Sequence, residues 1–267
     1  MNIYKFEFSM LKKSTLIWSL AVPLGLAFYM LFYPTIATDT GALDDLMNSF
    51  PEEFLAAFGM NAELPVSSLL GYFSLTVSMI YIPLAIQASN YGFHMLSVEE
   101  REFTADFLLT KPVKRSEIFI AKVLAALTSL FITNLSMWII TIATLYLVKG
   151  DSPLELGKVI VVLSSFGFIQ LFFFSLSLLI SVSVKKVSSV LSFSMGLSFG
   201  LYILSALGSV LSFNIFKLLS VYAHFDPNYI LINTNHQWNL VIITIAVIII
   251  SIPASYFLYS KRNIASL

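Results

Sequence analysis

The stretch from Ser97 to Glu117 reads SVEEREFTADFLLTKPVKRSE. It is dense in charged side chains, although these make up only 11% of the 267-residue chain, and long apolar runs flank it on both sides. Apolar runs of this length predict membrane-spanning helices, which need about 20 residues each. The stretch therefore lies in water between two spans, and we call it the charged island (residues 97–117).

Composition places the whole chain in the membrane class. Hydrophobic residues make up 58% of it and the mean hydropathy is +0.87, whereas a soluble domain is nearer half apolar and a quarter charged. The net charge is zero, so nothing indicates nucleic-acid binding, and the lack of cysteine excludes disulfides and cysteine-based metal sites. Neither a phosphate-binding loop nor a His-Glu-x-x-His zinc motif occurs.

Six segments are long and apolar enough to cross a bilayer, so the sequence predicts an all-α membrane protein that forms a single transmembrane domain over residues 1–267. The predicted spans are 16–33, 66–88, 118–147, 159–184, 187–210 and 240–259. The first run is longer than the usual ~7–15 apolar residues of a signal peptide, and we interpret it as a retained span.

Short helices are expected outside these spans. Residues 41–60 have helical apolar spacing and the Ser49–Glu52 pattern of a capped helix start, which predicts two short amphipathic helices between spans 1 and 2. Residues 211–238 are too apolar for a free loop and predict short helices between spans 5 and 6. Residues 3–16 fit either an interfacial helix or an ordinary charged flank of span 1.

Lysine and arginine indicate the orientation, because they concentrate in cytoplasmic connections. If the N-terminus is cytoplasmic, twelve of them fall on that side and three on the other. The twelve are Lys5, Lys12, Lys13, Arg101, Lys111, Lys114, Arg115, Lys122, Lys185, Lys186, Lys261 and Arg262, and the three are Lys149, Lys158 and Lys217. Both termini and the charged island are therefore expected in the cytoplasm.

The charged island has the pattern of a short helix with one apolar edge. Phe103, Phe107 and Leu108 form that edge, and Pro112 ends the helix. The rest of its surface is charged, through Glu99, Glu100, Arg101, Glu102 and Asp106. Exposed phenylalanines on a charged helix favour docking of a soluble partner, and the alternative is a solvated helix that binds nothing. Lys114, Arg115 and Lys122 then return the chain to the membrane, where we expect them to anchor at lipid phosphates.

The spans themselves carry neutral polar side chains instead of titrating ones. Gln87, Asn134 and Gln170 are predicted to hydrogen-bond between helices. The lack of acids, histidine and arginine in mid-span argues against ion-coupled transport by this chain alone. Span 5 carries Gly196, Gly200 and Gly208, small residues that suit close helix packing, either within the chain or across a dimer.

The island resembles the corresponding region of permeases of the type-2 ATP-binding cassette (ABC) transporter superfamily. That family has a Glu-rich run, Gly-Thr, a Leu-rich turn, Pro-x-Ser/Lys-Arg and a later Lys. This chain has Glu99–Glu102, Leu108-Leu109, Lys111–Arg115 and Lys122, with Phe103-Thr104 in place of Gly-Thr. The six-span layout and the segments 43–59 and 222–227 are similar as well.

The resemblance implies an exporter subunit whose island is a coupling helix seated in a groove of a separate cytoplasmic ABC ATPase. The ATPase-facing residues would be Glu99, Glu100, Arg101, Glu102, Phe103, Asp106 and Phe107. Two permease chains, as a homo- or heterodimer, would work with two ATPase chains in a bacterial cytoplasmic (plasma) membrane. The ATPase would bind ATP and Mg, and this chain would have no cofactor, metal or catalytic residue.

Two other functions are compatible with parts of the sequence. One is a membrane scaffold or sensor that recruits a cytoplasmic protein through the island without moving cargo. The other is a glutamate-type intramembrane protease built from Glu99 and Glu100 with His224 and Asn228. The predicted topology places these two pairs on opposite sides of the membrane, where they cannot share a substrate.

Overall fold

The computed structural model describes residues 3–38, 49–51, 54, 55, 60, 63–101, 113–211 and 214–261. Its helices, in chain order, are α1 (Ile3–Met30), α2 (Tyr33–Thr38), α3 (Leu69–Arg101), α4 (Arg115–Val148), α5 (Leu156–Ser183), α6 (Val190–Val210), α7 (Asn214–Leu219), α8 (Val221–His224), α9 (Pro227–Asn233) and α10 (Trp238–Lys261). Six helices within these ranges, α1, α3, α4, α5, α6 and α10, are long and apolar enough to cross a membrane, which confirms the predicted six spans.

Two spans extend far beyond their predicted bounds. Helix α1 begins at Ile3, so residues 3–16 continue the first span instead of forming a separate interfacial helix. The reason is a buried stripe at four-residue spacing, Glu7, Leu11 and Thr15, which extends the packing face of the span toward the N-terminus. Helix α3 continues from Leu69 to Arg101, well past the predicted end at residue 88.

Side-chain contacts show that neighbouring spans in sequence run in opposite directions. Helices α3 and α5 are parallel, since Tyr81 pairs with Ser165 and Gln87 with Gln170 at nearly constant offset. Helix α1 runs parallel to α4, as the pairs Glu7–Lys122 and Ser19–Thr133 show, and antiparallel to α3, as Ser14–Tyr91 and Tyr29–Tyr72 show. Helix α4 meets α5 at Asn134–Gln170 and α10 at Phe119–Tyr259, which fits antiparallel packing against both.

This alternation collects five chain segments at one end of the bundle, which we call the charged end. They are the start of α1, the end of α3, the start of α4, the α5–α6 turn with Lys185 and Lys186, and the end of α10. The opposite end, which we call the far end, holds α2, the α4–α5 connection and α7 to α9.

The short helices expected between spans 5 and 6 are confirmed as α7, α8 and α9. Asp226 caps α9 by accepting a hydrogen bond from the Asn228 N–H at 2.9 Å, and Pro227 occupies the first helical turn. We call residues 214–233 the docked segment. Between spans 1 and 2, α2 is a short helix, but most of residues 41–60 lie outside the described residues.

Candidate coupling site

The first part of the charged island continues span 2. The backbone of Glu99, Glu100 and Arg101 forms the last turn of the 33-residue helix α3. Such a helix is about 50 Å long against a hydrocarbon core of about 30 Å, so it extends well beyond the core. The expected separate short helix therefore does not begin at Glu99, because no proline interrupts α3 after Pro83.

The rest of the predicted ATPase-facing set is not located by the structure. Glu102, Phe103, Asp106 and Phe107 lie outside the described residues, as do the side chains of residues 99–101. The assignment of these residues to an ATPase contact therefore stays a prediction.

Helix α4 starts directly after an extended residue, Lys114, whose side chain is exposed. Glu117 lies in the first turn of α4, where its negative charge interacts favourably with the helix dipole. The Arg115 Nη1 donates a hydrogen bond to the Ser260 carbonyl at 3.3 Å, in the last turn of α10. Carbonyls there have no partner within the helix, so Arg115 ties the start of span 3 to the end of span 6.

Lys122 is buried between helices and does not face lipid, so its prediction as a lipid anchor is wrong. Its side chain is 1% exposed, and its Nζ lies 3.3 Å from Oε1 of Glu7. Position 122 falls on the face of α4 that packs against α1, where a buried ammonium requires a counter-charge. Glu7 was not singled out from the sequence, although its place at the head of the Leu11–Thr15 stripe points inward.

The neutral polar residues predicted to join helices form one continuous chain inside the bundle. Asn134 Nδ2 donates to Gln170 Oε1 at 3.0 Å, Gln170 Nε2 to Gln87 Oε1 at 3.2 Å, and Gln87 Nε2 to Thr133 Oγ1 at 2.8 Å. The hydroxyl of Ser19 lies 3.0 Å from that of Thr133. The interhelical role is confirmed, and this amide chain (Ser19, Gln87, Thr133, Asn134 and Gln170) links α1, α3, α4 and α5.

The three glycines of α6 have different surroundings. A Cβ at Gly208 would lie 3.0 Å from the Phe216 Cβ, so this glycine packs closely against α7. Among the described residues, no atom lies within 4 Å of such a Cβ at Gly196 or Gly200. Close packing within the chain is therefore seen at Gly208, whereas no described residue packs against Gly196 or Gly200, whose role in a dimer stays a prediction.

The protease arrangement is excluded by distance. The Ser74 hydroxyl donates to Asn228 Oδ1 at 2.7 Å, which places Asn228 beside the first turns of α3. Glu99 follows Ser74 by 25 residues on the same helix, about 37 Å along the axis.

His224, the other residue of the protease hypothesis, lies at the far end, and both of its ring nitrogens form hydrogen bonds within the chain. Its Nε2 donates to the Leu218 carbonyl at 3.1 Å, and its Nδ1 lies 2.7 Å from the Thr244 hydroxyl, which donates to it. Burial lowers the pKa of His224 and raises the pKa of Asp226. A neutral imidazole held between a carbonyl and a hydroxyl stabilises the docked segment against α10.

One further contact was not predicted from any sequence pattern. The Tyr81 hydroxyl, in the buried middle of α3, donates to the Phe225 carbonyl at 3.0 Å and lies 2.7 Å from the Ser165 hydroxyl. A tyrosine inside an apolar span requires a partner for its hydroxyl, but only the folded chain shows that the partner lies 144 residues away.

Comparison with known proteins agrees with this architecture. The family model described as "ABC-2 family transporter protein" matches residues 1–264, almost the whole chain. No curated protein matches the chain significantly.

Proposed function

Given that match, this chain belongs to the ABC-2 family of transporter proteins, and we propose that it is the permease subunit of an ATP-driven exporter whose ATPase docks on the charged island. Members of the family are multi-pass membrane components without catalytic activity of their own, and they typically work with an ATPase subunit. The proposal adds that ATP and Mg bind to the partner, that two copies of this chain work together, and that the assembly resides in a bacterial cytoplasmic membrane.

The observation that carries the proposal is the position of the island at the end of α3. The helix carries Glu99–Arg101 to the same end of the bundle as both described chain ends and the pair Lys185 and Lys186. Basic residues concentrate on the cytoplasmic side of membrane proteins, and that is the side on which ATP is available. An acidic helix end at this position suits a protein partner better than it suits anionic lipid.

The proposed mechanism follows from the mechanical continuity of α3. An ATPase can drive the permease only if it contacts the island differently in its nucleotide-bound and nucleotide-free states. A displacement of Glu99–Arg101 is passed along a continuous helix to the interior, where the amide chain joins α3 to three other spans.

The test is a variant that removes both the charge and the apolar edge of the island, Glu100→Gln with Phe103→Ala. Asp151→Asn, in the exposed connection at the far end, is the matched control. Each chain is purified with the ATPase that accompanies it and reconstituted in liposomes, and ATP hydrolysis is measured per ATPase. We expect the island variant to lose the ATPase or its stimulation, whereas the control keeps both.

Two results would argue against the proposal. An island variant that retains the ATPase and its stimulation shows that the ATPase docks elsewhere. A wild-type chain that retains a cytoplasmic protein but never changes its ATP hydrolysis would instead support the scaffold function.

A further inference from the structure

We propose that the Tyr81 hydroxyl is a positioning group that ties the docked segment (residues 214–233) to the paired helices α3 and α5, so that movement of the charged end of α3 is passed to the far end. This proposal rests on the proposed function for the source of movement, but the tie itself does not.

Helices α3 and α5 are joined as one body between Tyr81 and Gly92 of α3. The hydroxyls of Tyr81 and Ser165 lie 2.7 Å apart, and Gln170 Nε2 donates to Gln87 Oε1 at 3.2 Å. Nearer the charged end, Gly92 lies so close to α5 that a Cβ there would be 2.7 Å from the Phe174 carbonyl. Because packed backbones at this distance cannot slide independently, the two helices move together.

The docked segment bonds to this body at two adjacent points. The Tyr81 hydroxyl donates to the Phe225 carbonyl, and the Ser74 hydroxyl donates to Asn228 Oδ1. Asp226, between them, caps α9 and so couples the two points rigidly.

The other bonds of the segment go to different helices. Ser220 donates to the Leu201 carbonyl of α6 at 2.8 Å, and His224 pairs with Thr244 of α10 at 2.7 Å. The segment thus bridges the α3–α5 body on one side and α6 with α10 on the other. Relative movement of these two parts must strain or break the bonds at one side of the segment.

Tyr81 can release the Phe225 carbonyl and still keep a hydrogen bond of its own. Its single proton has two acceptors within reach, the Phe225 carbonyl and the Ser165 hydroxyl, and Ser165 can in turn donate to the Val162 carbonyl. When Tyr81 turns its proton to Ser165, its own hydroxyl remains bonded in a 1% exposed site. The two proton arrangements make the tie a two-state element, as relaying movement requires.

The experiment reads the position of the docked segment with one thiol. The chain has no cysteine, so Ala223→Cys, at a half-buried site in α8, supplies the only thiol of this chain, and labelling is read on this chain after it is separated from the ATPase. The complex with its ATPase is placed in proteoliposomes, and the rate of labelling by a membrane-impermeant maleimide is measured without nucleotide and with ATP plus vanadate.

Three variants of this reporter chain distinguish the tie from general loosening. Tyr81→Phe removes the hydroxyl and is expected to raise nucleotide-free labelling about fivefold, the change in an opening equilibrium when one hydrogen bond is lost. Ser165→Ala removes the competing acceptor and is expected to lower labelling. Tyr91→Phe removes a buried hydroxyl of the same helix that pairs with Ser14 instead, and it should change nothing.

The nucleotide response separates this proposal from the proposed function. Tyr81→Phe should lose most of the labelling change caused by ATP plus vanadate, whereas Tyr91→Phe keeps it. If Tyr81→Phe labels like Tyr91→Phe, or if Ser165→Ala raises labelling, the Tyr81 proposal is overturned. A reporter chain that ignores nucleotide, while Tyr81→Phe still labels faster without it, overturns the ATP coupling and leaves the tie standing.

Discussion

Helices α1 and α4 are joined by charged side chains near the charged end and by neutral hydroxyl groups at the centre of the bundle. Near the charged end, α1 meets α4 through the ion pair of Glu7 with Lys122, whose Oε1 and Nζ lie 3.3 Å apart. About three turns deeper, the same two helices meet through the hydroxyls of Ser19 and Thr133 at 3.0 Å, and Gln87 extends that contact to α3.

The difference shows how depth selects the bonding groups. A charge at the bilayer centre costs about 2.5–3.5 kcal/mol on insertion scales, and the cost falls toward the headgroups. Neutral amides avoid this cost and still offer both donors and acceptors, so they can form a chain across several helices. Ions near the end of a span make one strong pair but cannot be extended in this way.

The largest effect is expected from breaking the ion pair on one side. Lys122→Met leaves the carboxylate of Glu7 buried without its ammonium, and the free energy of unfolding should fall by about 3–5 kcal/mol. Unfolding in mixed detergent and SDS measures this loss. The double variant Glu7→Gln with Lys122→Met should recover most of the stability, and a double variant as weak as the single one would show that the charge is not responsible.

A carboxylate introduced at the depth of the amide chain tests whether depth selects the bonding groups. Gln87→Glu places a carboxylate at the centre of the bundle and should cost about 2.5–3.5 kcal/mol of unfolding free energy at neutral pH. The loss should shrink on acidification, since protonation removes the charge. Equal losses for Gln87→Glu at pH 5 and pH 8 would contradict the argument from depth.

A smaller effect is expected when the amide chain is interrupted without adding charge. Gln87→Leu leaves Gln170 Nε2 without its acceptor, which should cost about 1–3 kcal/mol. Gln87→Leu with Gln170→Leu removes both groups and should cost less than the sum of the two single changes, as a double-mutant cycle measures. Additive losses would indicate that the two amides act independently.

The smallest effect is expected in the pH dependence of stability at the far end, where the contact to α10 is made by the buried neutral imidazole of His224. Burial lowers the pKa of His224 from its ordinary 6.5. Between that lowered pKa and about 6.5 the unfolded chain binds more protons, so stability rises with pH and levels off above this range. His224→Gln should flatten the rise in unfolding free energy between pH 5.5 and 7.5, and an unchanged slope would assign it to other groups, such as His236, whose pKa burial also lowers.

Sequence patterns predicted the number of spans but not their ends. Hydropathy located six spans because about 20 apolar residues must match the bilayer, yet α3 extends to Arg101 because helix formation does not stop where the hydrocarbon stops. Gln87, Asn134 and Gln170 were recognised because a polar group inside a membrane requires a partner. Lys122 was misassigned because a lysine near a span end is usually exposed, and only its face on α4 opposes Glu7.

By itself, the amino-acid order determined the membrane class, the six spans, the acidic island between two of them and the need for hydrogen bonds at the central amides, since each depends on composition and local spacing. Tertiary structure alone decided which groups meet: Glu7 with Lys122, Tyr81 with the Phe225 carbonyl, and Gly208 but not Gly196 with a neighbouring helix. The physical reason is that the pattern of a span shows which polar groups need a hydrogen-bond or ionic partner. The identity of each partner depends on the rotation and offset of the helices, which are set by packing against several other helices at once.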